Sequence, residues 1–168
     1  MLKSKTTKQI TLIALFTAIE IVLSRLLSFS VWNMKIGVSF VSVMLAAYLI
    51  GPVGGLIVGG LSDFLGAILF PIGPYFPGFT ATAALTGLVF GLCFYKGINL
   101  PKIIIAVVST QLVCGLLLNS LFVSILYHSP FSVLIVTRLP QVGIMIVLEF
   151  VFAEFVLAKF KMLNKIKV

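Results

Sequence analysis

The chain has 168 residues, 61% of them hydrophobic and 10% charged, with a net charge of +8 and a mean hydropathy of +1.26. A soluble domain of that length cannot hide so much apolar surface, whereas a bilayer acts as solvent for it. At roughly 20 apolar residues per crossing, the length leaves room for about six membrane helices and little else.

Lys3, Lys5 and Lys8 precede an apolar run from Ile10 to Phe29. That run is too long for the apolar core of a cleaved leader, and no small-x-small site follows it, so it reads as a retained first helix over about 9–28. Helix 2 is expected over about 35–50, and Gly51-Pro52 turns tightly into helix 3 over about 53–70. The stretch Pro71-Ile72-Gly73-Pro74-Tyr75-Phe76-Pro77-Gly78 cannot continue a helix and reads as a loop. Helix 4 is expected over about 79–95 and helix 5 over about 101–127, after the break at Gly97 to Pro101. His128-Ser129-Pro130 ends helix 5, and helix 6 follows over about 133–160, with Pro140 either kinking it or opening it at its first turn. The fold class is therefore an all-α integral membrane protein, a single domain of six transmembrane helices.

Charge orients the bundle. Nine lysines fall at the N-terminus (Lys3, Lys5, Lys8), between helices 4 and 5 (Lys96, Lys102) and in the C-terminal tail (Lys159, Lys161, Lys165, Lys167). These regions share one side of an even-numbered bundle, which the positive-inside rule makes cytoplasmic, with both termini. The basic balance thus reports topology and contact with anionic lipid of the bilayer. No basic-aromatic or finger motif is present, so nucleic acid is set aside as a partner.

Arg25, Lys35 and Arg138 are the cations that this rule leaves unexplained. Each alone is consistent with snorkelling to outer headgroups; three converging from helices 1, 2 and 6 look like a receptor for an anionic ligand. All four acids, Glu20, Asp63, Glu149 and Glu154, lie inside expected spans, where a carboxylate is costly unless paired, protonated or facing water. Glu20 shares a stripe with Thr17 and Ser24. Glu149 shares one with Arg138, Gln141 and Met145, and Gln111, Gly115 and Asn119 lie along one face of helix 5. Asp63 and Glu149 serve either as ligand contacts or as interhelical pairs, and Glu154, near the lysine-rich end, fits a structural role. The glycines of helices 3 and 4 fit close packing, a rigid floor beneath a pocket, and Ala14 with Ala18 forms a small-residue seam facing either a neighbouring helix or another protein.

Other chemistry is missing from the sequence. Cys93 and Cys114 lack metal or redox spacing, His128 is alone, and neither a nucleophile elbow nor a phosphate loop occurs, so no metal, catalytic or nucleotide site is expected.

Several segments resemble a known family. Lys35-Ile36-Gly37-Val38-Ser39-Phe40, Gly51-Pro52-Val53-Gly54-Gly55, Asp63-Phe64-Leu65-Gly66-Ala67 and above all the stretch from Phe70 to Thr80 are similar to the folate-specific substrate-binding subunits of energy-coupling-factor (ECF) vitamin transporters. The resemblance implies a multi-pass protein of the bacterial plasma membrane that captures folate or reduced folate from outside, without catalysis and without a cofactor of its own. It implies that helix 1, with Ala14 and Ala18, docks on a membrane coupling subunit carrying two ATPases that hydrolyse ATP, and that the subunit topples to deliver ligand inward. Folate chemistry then suggests roles. Arg25, Lys35 or Arg138 would hold the glutamate tail, Arg25 and Lys35 ranking ahead of Arg138, and Asp63 or Asn119 would take the pterin edge. Phe70, Tyr75, Phe76 and Trp32 would stack on the rings, with the 1–2 and 3–4 loops as lids. Sister subunits for biotin, thiamine, riboflavin or pantothenate share the architecture and are the alternative; a small membrane enzyme or a channel ranks below them.

Overall fold

The computed structural model describes residues 2–31 and 34–157, and for residues 2–5, 29–31, 34–35 and 156–157 the backbone only. The described chain is nearly all helical. The first helix, α1, spans Leu2–Leu26, followed by two short strands, β1 (Ser28–Val31) and β2 (Met34–Gly37). Three helices follow: α2 (Phe40–Ile50), α3 (Pro52–Leu69) and α4 (Pro77–Phe94). The next rod, α5, covers Leu100–Tyr127, and its middle, Thr110–Leu118, is π-helical. The last, α6, spans Phe131–Phe152 and runs into a short π turn, Ala153–Leu157.

Local chemistry explains most boundaries. Gly51 has φ +102°, a left-handed conformation that costs an L side chain dearly, and its bare Cα lets the Tyr95 ring approach. Pro52 then opens α3 at a position where the missing N–H costs nothing, and Pro77 does the same for α4. His128 ends α5 in a left-handed turn at φ +51°. Pro140 lies inside α6, so it does not open that helix; it removes one rung of the hydrogen-bond ladder instead.

The sequence reading of helix 2 needs correction. Residues 34–37 form a strand, so Lys35 lies in a β-hairpin and the helix starts only at Phe40. The pairing is antiparallel, with Ser28 opposite Gly37 and Ser30 opposite Lys35. A faint signal is present: Ser-Phe-Ser-Val and Met-Lys-Ile-Gly both alternate with period two across a gap of two residues. The hairpin packs against α6.

Among the described residues, five helices are long and apolar enough to cross a bilayer, and α2 is a shorter apolar one. Large apolar side chains such as Val53, Leu92, Ile105 and Val136 are all more than half exposed, the surface expected where lipid is the solvent. By contrast, no residue of α2 is exposed. It packs against α1, α3 and α4, and Phe40, Met44, Ala46 and Ala47 belong to a core closed by the stacked rings of Phe90 and Phe94, 5.6 Å apart.

Helices α3 and α4 pack most intimately. A Cβ on Gly87 would collide with the Gly55 carbonyl, and one on Gly59 with the Ala83 carbonyl. Backbone meets backbone there, and neither side can yield. Gly87→Val is therefore expected to destabilise the detergent-solubilised protein by about 2–3 kcal/mol or more. A Cβ at Gly143 would meet nothing within 4 Å, so Gly143→Ala is the matched control. Thermal unfolding checks the pair: equal midpoints for the two variants would disprove the tight seam.

Candidate functional site

A cavity of about 730 Å³ opens at the end of the bundle where α1 finishes and α4 begins. Helix α1 contributes Glu20 and Arg25, α3 contributes Asp63 and Ala67, and the loop between α3 and α4 contributes Ile72 to Phe76. From α4 come Phe79, Thr82 and Thr86; from α5, Thr110, Gln111, Cys114, Gly115 and Asn119; from α6, Arg138 and Gln141. Four of the α5 residues lie in the π segment, a distortion that recurs at functional sites.

The cavity lining sets two guanidiniums, of Arg25 and Arg138, beside the carboxyl groups of Glu20 and Asp63. Arg138 is 7% exposed, and its Nε has no hydrogen-bond partner. Arg25 is half-buried with its Nε likewise unpartnered, and it lies over Gly66, where an added Cβ would come within 2.9 Å of that nitrogen. A buried cationic donor without an acceptor is costly, and an anionic ligand entering the cavity would satisfy it.

A chain of hydroxyls ties the loop to α3. Thr80 Oγ1 donates to Asp63 Oδ2 at 2.8 Å and lies 3.2 Å from the Tyr75 hydroxyl. The Tyr75 ring also packs edge-on against Phe64, with centroids 5.9 Å apart. Phe76 joins Phe79 and Phe122 in an aromatic cluster, and Gly78 leaves the space that this cluster fills. Deeper in, the Thr82 hydroxyl sits 2.9 Å from Asn119 Oδ1, linking α4 to α5. At the inner wall Gln111 Nε2 donates to Glu149 Oε1 at 2.6 Å.

Of the residues singled out in the sequence, the structure brings Arg25, Asp63, Tyr75, Phe76, Asn119 and Arg138 to the cavity. Phe70 is not among its lining residues: it caps the end of α3 through its backbone N–H, with its side chain half exposed. The Lys35 side chain and all of Trp32 lie outside the described residues. Ala14 and Ala18 are exposed on α1, on the outside of the bundle. Glu149 does not line the cavity and pairs with α5 instead. Gln111, Gln141, Glu20, Thr82 and Thr86 also line the cavity without being among the sequence candidates for it, although the first three stand on polar stripes. Polar side chains recurring within apolar helices were the available signal. Among the described residues, no group of three or more His, Cys, Asp or Glu side chains could hold a metal ion.

Comparison with known proteins places this geometry in a family. Residues 8–157 match the sequence model described as "ECF transporter, substrate-specific component". The chain is 36% identical over 133 residues to a protein of Clostridium novyi (strain NT) named "Folate transporter FolT", covering 79% of this chain and 77% of that one. It is 30% identical over 125 residues to a protein of the same name from Leuconostoc mesenteroides subsp. mesenteroides, covering 73% and 67%. Among solved structures, "Crystal structure of FolT bound with folic acid" superimposes with a TM-score of 0.84 at 27% identity, covering 89% of this chain and 92% of that one. The fold, the membrane-length helices and the match across residues 8–157 together make this chain a member of the substrate-specific components of ECF transporters.

Proposed function

We propose that the chain captures folate or a reduced folate from outside the cell and hands it to an ATP-driven module. The observation that carries this reading is the pair of buried guanidinium Nε atoms without partners, in a cavity also lined by Tyr75, Phe76 and Phe79. Folate has two carboxylates for the cations and flat rings for the aromatic wall. The cavity volume falls within the roughly 300–1,000 Å³ of ordinary ligand pockets. The similarity to two folate transporters and to a folic acid complex points to the same ligand.

The protein is a multi-pass protein of the bacterial membrane. In the proposed arrangement the five long helices cross the bilayer and the short α2, together with the hairpin that precedes it, makes the sixth passage, with both termini cytoplasmic. Lys8 lies roughly 25 Å from Arg25 along α1, and Lys96 and Lys102 follow the far end of α4. Positive residues thus mark the end opposite the cavity, which faces outward by the positive-inside rule. The chain binds no cofactor and performs no catalysis; ATP is hydrolysed by two ATPase subunits, reached through a membrane coupling subunit that docks on α1.

Titration of the detergent-purified protein is expected to give nanomolar-scale folate binding, on the order of −12 kcal/mol. Tight binding of biotin, thiamine, riboflavin or pantothenate with no response to folates would sink the assignment.

A further inference from the structure

Glu149 is 2% exposed within α6 and does not line the cavity. Its Oε1 accepts from the Nε2 of Gln111, which does, while its Oε2 has no hydrogen-bond partner. A half-satisfied carboxyl is an expensive way to tie two helices inside a membrane, where a neutral side chain would serve. A carboxyl does add direction. The amide of Gln111 is planar, with a donor on one branch and an acceptor on the other. Holding the NH2 branch against Glu149 turns the carbonyl the other way, towards Gly115, another cavity residue. An added Cβ on Gly115 would lie 2.8 Å from Gln111 Oε1, so the glycine leaves that carbonyl its room.

We propose that Glu149 is a positioning residue for ligand discrimination. Without touching the ligand, it fixes the orientation of the Gln111 amide, so that the cavity offers a defined acceptor to the N–H groups of a heteroaromatic ring. The inference rests on the folate reading above.

Two ligands test it: folate, and its analogue carrying a 4-amino group in place of the 4-oxo group. They differ along one ring edge in which atoms donate and which accept. A fixed amide tells them apart, whereas one free to flip accommodates either. The wild-type protein is expected to hold the two affinities at least roughly tenfold apart. Glu149→Gln can donate as well as accept, so it holds the Gln111 amide either way round and should narrow the ratio, while Glu149→Leu should bring the two affinities to within about threefold of each other. Gln111→Met removes the amide itself and should give the same collapse, which keeps the test decisive if the Glu149→Leu protein does not fold. Proportional loss of both affinities in Glu149→Leu would reduce Glu149 to a structural tie and overturn the proposal. So would a wild-type protein that binds both ligands alike, or a Gln111→Met variant that keeps the wild-type ratio. A wild-type protein that binds neither ligand would instead overturn the folate reading itself.

Discussion

Arg138→Gln is expected to weaken folate binding by roughly 30- to several-thousand-fold, about 2–5 kcal/mol, the usual cost of removing one partner of a desolvated charge pair. Arg138 is buried, and its unpartnered Nε leaves the guanidinium in need of an anion. Arg25→Gln should cost less, because that side chain is half-buried and screened more by water. This order reverses the ranking that puts Arg25 and Lys35 ahead of Arg138, because the structure sets Arg138 and Pro140 both well inside α6. Each variant should be titrated with folate and with a pterin fragment lacking the glutamate. A contact to the tail loses affinity for folate and keeps it for the fragment. If both variants bind folate as the wild type does, the cations do not contact the ligand and the site assignment is wrong.

The second large effect concerns assembly. Replacing Ala14 and Ala18 together by tryptophan is expected to abolish folate uptake and co-purification with the coupling subunit, while folate binding by the isolated subunit survives. Both alanines are exposed, whereas Phe16 and Thr17 between them face the core. Small residues let a partner helix approach closely, and bulky ones hold it away. Loss of binding with assembly intact would mean that this face of α1 matters for the fold and not for a partner.

Much of the architecture was legible because its punctuation is chemical. Gly51-Pro52 marks a turn whose glycine adopts a positive φ, and Pro71, Gly73 and Pro74 leave no helix between α3 and α4 until Pro77 opens the latter. The hairpin was harder to see. Its strands are four residues each, embedded in an apolar context where a helix start reads almost the same. The π segment was out of reach, since nine residues are too few for their hydrophobic pattern to tell a π turn from an α turn. At the site, stripes on single helices were readable, and so Arg138, Gln141 and Asn119 stood out. Which stripes meet was not: the pairing of Gln111 with Glu149, across 38 positions of sequence, needs the relative rotation of α5 and α6. Phe70 fails for the opposite reason, since adjacency to a cavity loop does not aim a side chain into it.

The shortness of α2 has a consequence for biogenesis. Its 11 residues reach roughly 16 Å, about half the hydrocarbon thickness of a bilayer, and none of them faces outward from the protein. Such a segment gains too little from lipid to partition on its own as it leaves the ribosome. Gly51 alone separates it from α3, so the two are expected to insert as one helical hairpin, with α2 acquiring its environment from its neighbours.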